Sequence, residues 1–174
     1  HLGGDPLGGP WQCAPQTHGF DYWIAGLAWA VNGGGCGGNN YTDWMRVDNC
    51  VSALSAEYEP YAARDAFIAG WSATTQQKLG IFATQLAHGP FHNPPAELIP
   101  VSYVEGRPSS QTLYFRMIAA YDTIIGQILQ YVNLQYTMVV IVSDNGTPPQ
   151  FSDKAKTTCY DRGVIVPLIV AYGP

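Results

Sequence analysis

Thr137-Met138-Val139-Val140-Ile141-Val142-Ser143-Asp144-Asn145-Gly146 is the stretch on which the reading of this chain turns. It opens with an unbroken, β-branched apolar run, the signature of a strand buried on both faces, and a polar cluster with a glycine then stops it. Just upstream, Ser109–Val132 reads as the clearest helix. Ser109 or Ser110 can cap it, and Leu113, Met117, Ile118, Tyr121, Ile124, Ile125, Ile128, Leu129 and Val132 recur at 3.6 spacing. Gly126 within it costs about 1 kcal/mol relative to alanine, which a close contact of helix on sheet would explain. Before that helix, Leu79–Leu86 is short and apolar and reads as a buried strand. Strand, crossover helix and strand make a βαβ unit, so the expected class is α/β with a largely parallel sheet flanked by helices. Val164–Tyr172 reads as a further strand, with Pro167 marking an edge or a bulge.

The remainder is less regular. Residues 1–42 hold 11 of the 19 glycines and two charged side chains, Asp5 and Asp21. They read as loops with a short strand near Tyr22–Ile24, because glycine runs lose too much backbone entropy on ordering. Residues 45–52 alternate weakly, as another short strand would. Glu57–Trp71 reads as a helix: Glu57 and Glu59 favour its start, Pro60 suits the first turn, and Tyr61, Phe67, Ile68 and Trp71 share a face. His88–Pro108, with five prolines, reads as a surface loop.

Composition bounds the function. The 174 residues suit one domain, and 47% hydrophobic with 12% charged side chains argues against disorder. A net charge of −5 disfavours nucleic acid as a partner. No apolar run reaches the roughly 20 residues of a membrane span, and no basic-then-apolar leader opens the sequence. The low charge implies a surface that is normally covered. Cys13, Cys36, Cys50 and Cys159 lack metal-ligand spacing; a Cys36–Cys50 disulfide is one of several pairings open to an exported protein.

In open α/β sheets ligands gather at the carboxyl ends of strands, which directs attention to the residues after Val142 and Leu86. Asp144 and Asn145 offer adjacent hard oxygen ligands suited to Ca²⁺ or Mg²⁺, with Gly146 allowing a sharp turn; an Asn-Gly turn is the plainer explanation. His88 can hydrogen-bond an anion or protonate a leaving group, although an exposed loop histidine needs no such role. Lys154 and Lys156 can each pair with an anion as a point charge, and solvation alone also accounts for them.

Taken in order, these segments resemble the sulfatases of the alkaline-phosphatase superfamily, over essentially the whole chain. His1-Leu2-Gly3 is similar to the end of Gly-Lys-Trp-His-Leu-Gly, and His18-Gly19-Phe20-Asp21 to the family's Gly-Phe-Asp. Ala87-His88-Gly89-Pro90 resembles Pro-His-x-Pro, and Tyr121-Asp122-Thr123-Ile124-Ile125-Gly126 resembles Asp-x-x-Ile-Gly. Ser143-Asp144-Asn145-Gly146 matches a family motif directly, and Lys156–Val170 is similar to Lys-x-x-x-Tyr-Glu-Gly-Gly-x-x-Val-Pro.

The resemblance implies a sulfuric ester hydrolase acting on a small-molecule or glycan sulfate ester, with a phosphodiesterase, a phosphonate monoester hydrolase or a non-catalytic anion- or glycan-binding relative as alternatives. It implies Asp144 and Asn145 as ligands of a divalent cation, usually calcium. Lys156 would bind a sulfate oxygen, and His88 would contact the sulfate and act as general acid. His1 would stand beside the nucleophile and help expel sulfate. Export is a further family expectation. Three departures stand out. The formylglycine motif Cys/Ser-x-Pro-x-Arg is absent, Cys13-Ala14-Pro15-Gln16-Thr17 being its nearest and misplaced approximation. The paired N-terminal aspartates are also missing, and Asp161-Arg162-Gly163 replaces Glu-Gly-Gly. Residues 1–174 are therefore expected to be an internal fragment of one catalytic domain. It lacks the nucleophile region and the C-terminal subdomain, with the rest of that domain as its partner and formylglycine upstream.

Overall fold

The computed structural model describes residues 21, 24–26, 41–42, 44–48, 51–100 and 109–173. His1, the Cys13–Thr17 stretch, the glycine-rich run at 33–40 and both members of the Cys36–Cys50 pairing lie outside them.

Three short strands come first: β1 (Ile24–Gly26), β2 (Trp44–Asp48) and β3 (Val51–Ser55). They form an antiparallel sheet in the order β1-β2-β3, with Ile24 opposite Asp48 and Trp44 opposite Ser55. The weakly alternating segment at 45–52 thus spans two paired strands rather than one.

Helix α1 (Glu59–Ser72) begins with Pro60 in its first turn, where the missing N–H costs nothing, and no side chain caps it. It buries Glu59, Pro60, Ala62 and Ala66, and Phe67 stacks on Trp71 at 5.9 Å. Helix α2 (Ser110–Leu129) is capped by Ser109, whose Oγ accepts from the Thr112 N–H at 3.1 Å. Its inner stripe is Met117, Ala120, Ile124 and Ile128, whereas Ile118 points outward. Between the helices, Arg64 Nη1 donates to Gln127 Oε1 at 2.7 Å. The core comprises Tyr41, Tyr58, Leu86, Leu98 and the α2 stripe, so α2 packs on α1 and on the 82–98 segment.

That arrangement corrects the expected βαβ unit. Leu79–Leu86 forms no strand: Leu79 is 79% exposed and Ile81 61%, and only Leu86 enters the core. Extended backbone needs a neighbouring ladder for its N–H and C=O groups, and here side chains take that part instead, Glu59 and Tyr41 bonding Gln85. A largely parallel sheet is likewise not found among the described residues. Strand β4 (Val139–Val142) pairs antiparallel with β5 (Leu168–Ala171), Val142 facing Leu168. Val140 and Val142 are exposed, so β4 is not covered on both faces. Pro167 stands immediately before the ladder, where its lack of an N–H is harmless. Gly126 meets no atom within 4 Å of an added Cβ, which removes the helix-on-sheet contact as its explanation.

Candidate functional site

The 25 residues between β4 and β5 carry both specific motifs, and main-chain bonds fold them onto each other. The Thr147 N–H donates to the Arg162 carbonyl at 2.7 Å, and the Lys156 N–H donates to the Thr147 carbonyl at 2.9 Å. The strand end bearing Asp144 and Asn145 is thereby joined to the Lys156 loop and to the one-turn helix α3 (Asp161–Val164). Gly146 is required at this joint. A Cβ there would lie 2.3 Å from the Arg162 carbonyl oxygen and 2.7 Å from that of Gly163, with backbone that cannot swing aside. Gly163 is equally confined, 2.5 Å from the carbonyls of Ala155 and Thr158. Thr157, directly after Lys156, holds a φ of 77°, a left-handed conformation that a β-branched residue adopts only under constraint.

Within this frame, Asn145 donates from Nδ2 to the Gly146 carbonyl at 3.0 Å, which orients its amide and makes Oδ1 the atom that could ligate a cation. Ser143 Oγ donates to the Asn145 carbonyl at 2.9 Å. Asp144 is exposed. Its carboxylate and Asn145 Oδ1 are two hard donors on consecutive residues, a set that fits Ca²⁺ or Mg²⁺. Among the described residues no group of three or more His, Cys, Asp or Glu side chains could hold a metal ion. An open hollow of about 490 Å³ adjoins the joint, lined by residues that include Lys154, Tyr160 and Arg162. Lys154 Nζ lies 4.7 Å from the centre of the Tyr160 ring.

His88 is exposed in a separate loop. Its Nδ1 is 2.7 Å from the Gly89 carbonyl, which can only accept, so the neutral ring carries its proton on Nδ1. This loop meets the first through aromatic packing. Phe91 stacks on Phe151 at 5.4 Å, and Tyr114 of α2 contacts both rings, at 5.6 and 5.0 Å. Structure thus joins Asp144, Asn145 and Lys156 in one frame, ties the His88 loop to that frame through Phe91, and leaves His1 outside the described residues.

Two residues escaped the sequence reading. Glu59, 4% exposed, accepts from Thr84 Oγ1 at 2.7 Å, and burial pushes its carboxyl up to about 7. Tyr41 is fully buried, and burial raises its phenol far above the ordinary range. Glu59 looked like a helix-start carboxylate, yet it falls on the same face as Ala62 and Ala66, and that spacing was the available signal.

The strand end with Asp144 and Asn145, the Lys156 loop joined to it and the neighbouring histidine loop are the segments in which the family motifs fall. A model of the sulfatase family matches residues 10–174, and the chain belongs to that family. Membership makes it a sulfatase-superfamily hydrolase in general, with an alkaline-phosphatase-like α/β fold. Sulfatases generally bind a divalent metal and are often exported. No helix among the described residues is long and apolar enough to cross a membrane. Searches of curated proteins and of solved structures returned no significant match.

Proposed function

We propose that this chain is the core of a sulfuric ester hydrolase. The observation that carries the reading is the main-chain joint between the Ser143–Thr147 and Lys156–Gly163 motifs, which sets a hard-cation donor pair and a lysine in one rigid frame. Cleavage breaks the bond between sulfur and the ester oxygen, and both the sulfuryl oxygens and the departing alkoxide must be neutralised. Lys156 binds a sulfuryl oxygen with its ammonium group. His88, protonated on Nε2, contacts the sulfate and delivers that proton to the leaving oxygen. Asp144 and Asn145 would hold a divalent cation, calcium or magnesium, which would supply positive charge to offset that of the sulfuryl group. His1 helps expel sulfate. The formylglycine nucleophile and the remaining metal ligands come from the rest of the same catalytic domain, upstream of His1, and the substrate is a small-molecule or glycan ester met outside the cytoplasm.

Hydrolysis of 4-nitrophenyl sulfate by the full-length protein, with and without chelator, tests this. Lys156→Ala and His88→Ala should each lower kcat/KM by about a hundredfold or more. Asp144→Ala should abolish the rescue of chelated enzyme by calcium. Faster turnover of a phosphate diester or a phosphonate monoester would transfer the reaction to phosphorus. Sulfate binding without turnover of any ester would make the chain a binding relative.

A further inference from the structure

Behind the histidine loop lies a polar bracket that none of the motifs includes. Tyr41 Oη is 2.5 Å from the Gln85 carbonyl and 2.7 Å from the His88 carbonyl, spanning the turn closed by the His88 N–H to Gln85 O bond of 2.6 Å. Glu59 grips the same segment one residue earlier, accepting from Thr84 Oγ1 at 2.7 Å and more weakly from the Gln85 N–H at 3.5 Å. The Glu59 N–H donates to the Tyr41 carbonyl at 2.7 Å, so the two grips form one unit. Beyond the histidine, the His92 ring packs 4.2 Å from the Tyr41 ring. Its Nδ1 lies 3.3 Å from the Pro90 carbonyl, so it donates there, and Nε2 accepts from Tyr58 Oη at 3.0 Å; burial lowers the His92 pKa and keeps this ring neutral. Arg116, buried on α2, donates to Asn93 Oδ1 at 2.6 Å and closes the far end.

An ordinary core needs none of this. A surface loop beside a hydrophobic cluster can be anchored by Leu86 and Phe91 alone, whereas here a buried phenol and a buried carboxyl, both costly to desolvate, bond Thr84, Gln85 and His88. The carbonyl that Tyr41 fixes belongs to His88 itself, and the next carbonyl, of Gly89, sets the imidazole tautomer.

We infer that Tyr41 and Glu59 are positioning residues that fix the 84–89 backbone and so hold the His88 ring with its proton on Nδ1, aiming Nε2 at the leaving oxygen. This rests on the general-acid role given to His88 above. Loosening the bracket frees the Gly89 carbonyl to drift from Nδ1, and the ring then samples both tautomers.

The test is imidazole ¹³C and ¹⁵N NMR of the full chain, which has four histidines, the His88 signals being assigned by their loss in His88→Gln. Tyr41→Phe keeps the packing and removes the hydroxyl, while Thr84→Val removes the donor to Glu59 and serves if the first variant fails to fold. Wild-type His88 should show the Nδ1–H tautomer, and both folded variants a mixture. With 4-nitrophenyl sulfate, kcat should fall about tenfold or more at nearly constant KM. An unchanged His88 tautomer in either folded variant overturns the inference. Absence of any His88 response to inorganic sulfate in the wild type would instead remove the sulfatase role, and the tautomer comparison would still judge the bracket.

Discussion

Glu59 shows how much one residue can move the pH response of this molecule. Its carboxyl stands near 7 rather than 4.5 because burial outweighs the hydrogen bonds from Thr84 and Gln85, and the facing phenols, Tyr41 and Tyr58, stay neutral. Below pH 4.5 the group is protonated in folded and unfolded chains alike and costs nothing. Between 4.5 and about 7 the unfolded chain releases the proton while the folded chain retains it, so stability falls as pH rises. At about 1.4 kcal/mol per pH unit the loss reaches about 3 kcal/mol above neutrality. Urea denaturation at half-unit steps from pH 4 to 8 should trace this decline in the wild type. In Glu59→Gln the decline should vanish, leaving the rise with pH that the lowered His92 pKa contributes below 6.5, with the variant the more stable at pH 8. A decline of equal depth in the variant would assign the effect to other groups.

At the scale of elements, α2 is where the amino-acid sequence speaks most plainly. Its cap at Ser109 and its inner stripe of Met117, Ile124 and Ile128 follow from local chemistry alone, a hydroxyl three residues before an orphan N–H and a 3.6-residue period. Gly126 contradicts that propensity without a packing reason. Gly126→Ala should therefore add about 1 kcal/mol to the unfolding free energy, read as a higher urea midpoint at unchanged m-value. A loss would mean that something presses on that helix face. Leu79–Leu86 was misjudged for the opposite cause. Short apolar runs satisfy a strand template and a packed loop equally, and what decided it here were partners 25 to 44 residues away, Glu59 and Tyr41. The joint between the two motif loops was equally illegible, because backbone bonds such as Thr147 to Arg162 leave no trace in side-chain pattern. What the residues did disclose were candidates: Asp144, Asn145, His88 and Lys156 stand out by type and by their place after strand or loop.

For the whole molecule, a chain that is only 12% charged presents Val140, Val142, Leu168, Ile169 and Val170 of β4 and β5 to solvent, Ile169 at 56% exposure. Among the described residues no further strand flanks this two-stranded ribbon, and a ribbon with apolar side chains and open edges is a template for association. Sedimentation velocity should show a weight-average mass rising with concentration, and Ile169→Lys should shift it toward monomer; a concentration-independent monomer in the wild type would contradict this. The same region holds the joint described above, and its atoms have a bearing on inheritance. Arg162 contributes its carbonyl and Lys156 its amide to that frame, so neither side chain takes part in it. The side chains at 156 and 162 can therefore change while Gly146 and Gly163 stay put. A frame built from main-chain bonds accepts new side chains as a lock accepts new pins, and Asp161-Arg162-Gly163, in place of Glu-Gly-Gly, keeps the confined glycine.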